Sequence, residues 1–300
     1  MKGLFALVKR NTKLYFKDKG MFFTSLITPL ILLVLYGTFL SNVYEDSFRS
    51  ALAAAGAFAP EKLIRGCVGG ELVSSLLAVS CVTVAFCSNL LMVQDKYTGA
   101  RKDFMITPVK PGILALGYYL ATLISTLLIN LAAAGVCLGY LSYTGWYLSG
   151  KDVAFLFLDV CLLVLFGTAL SSCVNFFLFT NGQASAVGTI VSAGYGFLCG
   201  AYMPISQFSK GLQKALSFLP GTYGTSLLRN HALCGVFSEM KSQGFPTEVV
   251  EAIKDSVDCN LYFLEEKVSV NHMYLILVSA IGAAILIYIG MNILAGKKKA

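Results

Sequence analysis

Charge is scarce in these 300 residues: Asp, Glu, Lys and Arg together make up 13 %, against roughly 25 % in ordinary soluble domains. Hydrophobic residues fill 56 % of the chain and the mean hydropathy is +0.72. The shortage excludes a soluble globule, which needs a charged surface, and a disordered tail, which needs even more charge. Histidine occurs twice and tryptophan once, so a histidine-based metal centre or general base has almost nothing to be built from. His231 and Cys234 have i, i+3 spacing, yet two ligands do not make a zinc site. Nine cysteines are too few for a disulfide scaffold, and most lie inside apolar runs where they behave as small hydrophobes. Cys234 and Cys259 both fall in the loop after span five and could pair in an oxidising exterior, although their spacing does not establish their distance.

Long stretches without Asp, Glu, Lys or Arg are what the chain does contain. A hydrocarbon core about 30 Å thick takes roughly 20 apolar helical residues, because every backbone polar group must be satisfied within the segment. Gly20 to Tyr44, Leu72 to Gln94, Pro111 to Gly150, Val160 to Ser209 and Val268 to Gly296 qualify. The fourth is too long for one span, and the polar turn Thr180-Asn181-Gly182-Gln183 divides it. In the third, Tyr140, Tyr143, Trp146 and Tyr147 read as an aromatic belt closing a single span. The expected fold is an all-α integral membrane protein with six transmembrane helices. Repeated small residues at Gly135 and Gly139, and at Gly196 and Gly200, suit close helix packing within or between subunits.

Six spans place both termini on one side, so the distribution of Lys and Arg becomes a two-way test of orientation. The side with the termini carries thirteen cations and three acids, a net +10, and the other side ten cations and thirteen acids, a net −3. The basic side is therefore expected to be the cytoplasm, with the protein in the cell membrane. This asymmetry explains the overall +7 as a topology signal and a contact with anionic lipid heads, and disfavours nucleic acid as a partner. Lys2, Lys9, Arg10, Lys13 and Lys17 fall on about a third of a helical circumference, with Leu4, Phe5, Leu7, Val8, Leu14, Tyr15 and Phe16 on the rest. That pattern suits a retained helix lying in the membrane surface.

Chemistry inside the spans is thin. Asp159 lies inside span four and Glu71 at the outer end of span two; either could line an aqueous vestibule, but both are expected near enough to the interface to be hydrated without a transport role. Gly145 to Asp152 imitates a phosphate-binding loop through Lys151, but Asp152 stands where a hydroxyl should meet magnesium, and no strand precedes it. No ATP hydrolysis is expected from this chain, and neither a nucleophile with its base nor a facing carboxylate pair is available within the spans. The stretch Gln94 to Pro108 leaves span two with mixed charge, turns apolar at Phe104 to Ile106 and stops at Pro108. It reads as a short interfacial helix presenting charge, or as a solvated connector.

Three blocks resemble the permease subunits of type-2 ATP-binding cassette exporters, which include daunorubicin-type drug and lipo-oligosaccharide exporters. They are the basic helix from Lys2 to Lys19, the segment from Asp95-Lys96 through Gly99 to Thr107-Pro108, and Gly200 to Ile205 followed by Leu219 to Tyr223. The resemblance implies an N-terminal interfacial helix over 1–19, spans one to five over 20–203, outer re-entrant helices and a cap over 204–270, and span six over 271–296, together one permease domain. It also implies a cytoplasmic coupling helix, with Asp95, Lys96, Tyr97, Gly99, Arg101, Lys102 and Pro108 as ATPase-coupling residues. The partners would be a separate ABC ATPase, which holds ATP and magnesium while this chain binds no cofactor, a second permease subunit and the lipid bilayer. The cargo would be a drug, lipid or other amphipathic molecule. An ion-coupled transporter or channel working without an ATPase is the alternative. Glu239 to Lys267 departs from the family pattern, and Thr247 is expected to cap a helix there whose stripe is Val249, Val250 and Ile253.

Overall fold

A computed structural model of the chain describes residues 2–54, 58–107 and 109–297. Helix α1 (Lys2–Lys17) leads into α2 (Lys19–Leu35), which continues through a π-helical turn (Tyr36–Leu40) into α3 (Ser41–Ala54). There follow α4 (Glu61–Ser88), α5 (Leu90–Tyr97), α6 (Ala100–Ile106), α7 (Pro111–Thr144), α8 (Gly150–Phe176) and α9 (Asn181–Leu198). A 3₁₀ turn (Ile205–Gln207), α10 (Lys210–Leu216), α11 (Pro220–Ser242) and α12 (Thr247–Ser256) precede a hairpin of β1 (Leu261–Phe263) and β2 (Glu266–Val268), and α13 (Val270–Lys297) closes the chain.

Among the described residues five segments are long and apolar enough to cross a membrane: Lys19–Leu40, Glu61–Tyr97, Pro111–Thr144, Gly150–Phe176 and Val270–Ala295. The sixth expected span is α9, a helix of 18 residues that falls outside that set because Asn181, Gly182 and Gln183 dilute its first turn. Those same residues start it, since the Thr180 side chain takes the Gln183 N–H while Gln183 reaches back to Thr180 N–H. An equivalent capping box between Ser149 and Asp152 opens α8, which explains the false phosphate loop: the Asp152 carboxylate takes the Ser149 N–H at 2.9 Å.

Helix α4 is the centre. In the most apolar window of Glu61–Tyr97, 89 % of residues are buried, against 22 % for Lys19–Leu40 and for Val270–Ala295. It packs on α2, α3, α7, α8, α9 and α11. Glycine makes this approach possible at the crossing with α8, where a Cβ added to Gly167 would lie 2.9 Å from the Cys81 carbonyl oxygen and 3.0 Å from Val82 Cα. By contrast, a Cβ at Gly135 or Gly139 would meet nothing within 4 Å, so the small-residue spacing there packs no helix of this chain. Gly196 makes room for the Tyr202 ring of the turn that follows it.

Several expectations change. Helix α4 begins eleven residues before Leu72, because Glu61 and Arg65 pair along its first turn rather than ending it. Glu71 thereby enters the interior at 1 % exposure, and Asp159 is equally buried, so neither is a hydrated interfacial acid. Cys234 is exposed, Cys259 is buried, and the two are unpaired. Thr247 is the first residue of α12 rather than its cap, a place taken by Pro246, while the stripe holds, with Val250 and Ile253 buried. The β-hairpin was not expected: it turns on Leu264 and Glu265, both at positive φ, without the Asn or Gly that usually marks such a turn.

The segment from α12 to β2 is tied by charge. Glu251 on α12 accepts hydrogen bonds from Lys254 at 2.8 Å, from Lys267 on β2 at 2.9 Å and from Asn260 at 3.2 Å. The two ammonium groups, Lys254 foremost, hold its carboxyl down at about 2, from an ordinary 4.5. A depressed carboxyl stabilises the fold above its unfolded value and loses that contribution as pH falls towards the folded one. Hydrogen exchange across 247–268 should therefore accelerate as pH is lowered from about 4.5 to 2 beyond the intrinsic rate change, and Glu251→Gln should remove that extra dependence; because the pair is solvent-screened the effect is small. Packing gives the second expectation: Gly167→Val should lower stability by about 1–3 kcal/mol in a thermal melt of the isolated chain, and Gly135→Val should leave the melt unchanged.

Candidate functional site

The polar clamps around α5 and α6 define a face of the molecule shared with α1 and the end of α13. Helix α1 turns Leu7, Asn11 and Tyr15 inwards at i, i+4, i+8 spacing and leaves Phe5, Leu14 and Phe16 exposed. Leu7 packs against Gly117 of α7, and the Tyr15 hydroxyl pairs with Ser25 Oγ at 2.6 Å. The expected surface helix is thus seated on protein along one stripe, while Phe5 and Phe16 lie together on another, exposed side.

Asp95 is buried and fully engaged. Arg10 donates to both its oxygens, at 2.6 and 3.1 Å, and the Tyr118 hydroxyl donates at 2.7 Å. Such a two-pronged guanidinium–carboxylate contact is strong and directional, and it raises the Arg10 pKa above its ordinary value, with the Asp95 hydrogen bond as the largest cause. The Arg10 guanidinium also lies 4.9 Å from the centre of the Phe104 ring, so one side chain joins α1 to α5 and to α6.

Lys96 points the other way. Its ammonium has three protons, and they meet the carbonyls of Asn175, Phe176 and Leu178 at 2.8, 2.6 and 2.9 Å. These are carbonyls at the end of α8, where intrahelical donors run out and the helix dipole is negative. Gly99 then turns the chain at φ +88, a left-handed value that glycine tolerates best, and α6 starts at Ala100. Arg101 reaches Asn292 on α13 at 3.1 Å.

The expected coupling residues therefore divide into two groups. Asp95, Lys96 and Arg101 face inwards and fasten α5 and α6 to α1, α7, α8 and α13. Tyr97 is 63 % exposed, Lys102 is exposed, and Ile106, not singled out in the sequence, is 86 % exposed. Pro108 lies outside the described residues. The partners Arg10, Tyr118 and Asn292 were also missed, since contacts 85, 23 and 191 residues apart leave no local pattern.

Two further features involve α2 with α9 and α8 with α11 and α13. A cavity of about 880 Å³ runs between α2 and α9, walled by residues such as Thr24, Thr28, Ile31, Ser185, Thr189 and Phe197. Nearer the opposite face, Asp159 of α8 joins His231 Nδ1 of α11 and the Tyr274 hydroxyl of α13, each at 2.6 Å, with His231 stacked on Phe155. Among the described residues no group of three or more His, Cys, Asp or Glu side chains is placed to hold a metal ion.

A family model described as ABC-2 type transporter matches residues 2–232, from α1 into α11, leaving α12, the hairpin and α13 beyond the match. A search of curated proteins gives no match. The clamp geometry itself is testable in the isolated chain. Asp95→Asn, which leaves Arg10 and Tyr118 with a poorer partner, should cost on the order of 1–3 kcal/mol. Hydrogen exchange should place the loss in α1 and α6, with α12 unaffected.

Proposed function

The chain belongs to the ABC-2 type transporter family and is the membrane subunit of an ABC transporter; from that premise we propose that it is an exporter permease driven through α6 by a separate ATPase. The observation that carries this reading is the division of the Asp95 to Lys102 segment into a buried frame and an exposed face. A push delivered to Tyr97, Lys102 and Ile106 reaches α1 through Phe104 and Arg10, and α13 through Arg101 and Asn292. Lys96 passes it to the end of α8. Interfaces commonly place aromatic and aliphatic anchors beside charge in this way.

ATP and magnesium belong to the partner in this reading, and the basic face is cytoplasmic, with both termini on it and the chain in the cell membrane. A second permease subunit, identical or related, would close the cavity between α2 and α9 into a pathway. Its walls, apolar with scattered Thr and Ser hydroxyls, suit a drug, lipid or other amphipathic cargo. Exposed Phe23, Ile27 and Ile31 on α2 and Ile190 on α9 supply apolar surface for lipid or for that second subunit. An ion-coupled mechanism without an ATPase asks for paired acids along a path. The buried acids present serve it poorly: Asp95, Asp159 and Asp258 are each engaged by a different partner set, and Glu71 has no ion-pair partner among the described residues.

Tyr97→Ala and Lys102→Glu together should reduce transport-coupled ATP hydrolysis by about tenfold or more. Membrane abundance and melting temperature should stay at wild-type values, because neither side chain belongs to the clamp. Transport at full rate in that double variant would remove α6 as the docking element. Labelling of Tyr97→Cys by an impermeant reagent in intact cells would reverse the orientation.

A further inference from the structure

On the face opposite α6, a cavity of about 310 Å³ opens between α3, α4, the turn after α9 and the end of α12. Its walls include the rings of Tyr44 and Tyr202 and the buried ring of Phe48, with Gln207 and Ser256 as polar members and Glu71 within it. Glu71 is 1 % exposed, and among the described residues neither of its carboxylate oxygens has a hydrogen-bond partner. An unpartnered carboxyl in a membrane helix is costly and calls for a counter-group. Nearby Arg229 does not supply it by direct contact. Its guanidinium donates to Asp258 Oδ2 at 3.2 Å, Ser75 Oγ at 3.2 Å and the Gly200 carbonyl at 2.6 Å, and Asp258 is its ion-pair partner. One carboxyl is left over, facing a space large enough for several waters at about 30 Å³ each.

We propose that this cavity binds a small organic ammonium group, with Glu71 as its counter-charge and Tyr44, Phe48 and Tyr202 as its aromatic walls. Aromatic faces attract cations through the ring quadrupole, most strongly where water is excluded, and a single carboxyl gives the remaining charge. A hard metal cation is a poor occupant, since calcium takes six to eight oxygens and magnesium near-ideal octahedral geometry. The site lies apart from the cleft between α2 and α9: the two share Leu40 and Tyr202 at their margins and no acidic residue.

The test is calorimetric titration of the full-length chain in lipid nanodiscs with phenethylammonium, and with neutral 2-phenylethanol as the control. Saturable binding of the ammonium alone is expected, weakened at least about tenfold by Glu71→Gln, which removes a charge-assisted hydrogen bond. Phe48→Leu, on the wall and outside the polar knot, should weaken it about threefold or more through the lost cation–π contact. The proposal is overturned if phenethylammonium shows no saturable binding, if 2-phenylethanol binds as well, or if Glu71→Gln and Phe48→Leu variants that melt at the wild-type temperature bind with wild-type affinity. Neither ATP nor an ATPase enters the measurement, so a negative result leaves coupling through α6 standing, and loss of coupling leaves this site standing.

Discussion

Everything in this molecule leans on a helix that has no free side. Helix α4 touches α2, α3, α7, α8, α9 and α11, and that enclosure sets what its sequence can be. Small residues stand where neighbours press closest: a Cβ on Gly66 or Gly70 would run into Tyr147 or Leu233. Hydroxyls such as Thr83 turn back to the helix's own carbonyls. The helix is interrupted once, at Asn89, whose side chain takes up bonds to Ser171 and Ser172 of α8 and receives one from Thr122 of α7. Beyond it, α5 carries Asp95 and Lys96 out to the basic face. One nearly continuous rod therefore joins the cavity at Glu71 to the clamp at Asp95, and a displacement at one end has a stiff element along which to travel.

Apart from Glu71, the few buried charges are spent on joining elements far apart in sequence. Arg10 and Asp95 lock the first helix to the fifth, and Arg229 and Asp258 lock α11 to the cap. Asp258 also takes the backbone N–H groups of Ile205 and Ser206, which fixes the turn after α9. Burial pushes the Asp258 carboxyl up, against the lowering effect of Arg229. A buried ion pair of this kind is weak evidence for net stability, because desolvation offsets much of the attraction; what it supplies here is a defined register between parts that apolar packing alone would allow to slide.

The spans were legible because a bilayer forbids charge over a fixed length, and the eye needs only to look for its absence. The same rule misled at Glu61, Lys62 and Arg65, whose charges suggested a loop; their i, i+4 pairing is a helix signal that the search for uncharged runs discards. The position of the α6 segment was visible in its charge, its Gly99 turn and the likeness of its surroundings to known permeases. Its internal division was not. Which of Asp95, Lys96, Tyr97, Arg101 and Lys102 faces inwards depends on Arg10, Tyr118, Asn292 and the carbonyls at the end of α8, and no local pattern announces those partners. The hairpin at Leu264 and Glu265 escaped for another reason, since the two-residue connection between β1 and β2 requires a positive φ at residues that do not favour it.

The seating of α1 also bears on how the chain is made. Leu7 rests on Gly117 and Arg10 on Asp95, residues that leave the ribosome long after α1 has. At elongation rates of about 5–20 residues per second, a delay on the order of 5–20 s separates the birth of this helix from that of its seat. Throughout that interval α1 has α2 within reach through Tyr15 and Ser25 but neither of those later partners, and its basic and apolar faces suit lipid headgroups, so the amphipathic pattern serves as a waiting berth during biogenesis before it becomes a joint in the finished protein.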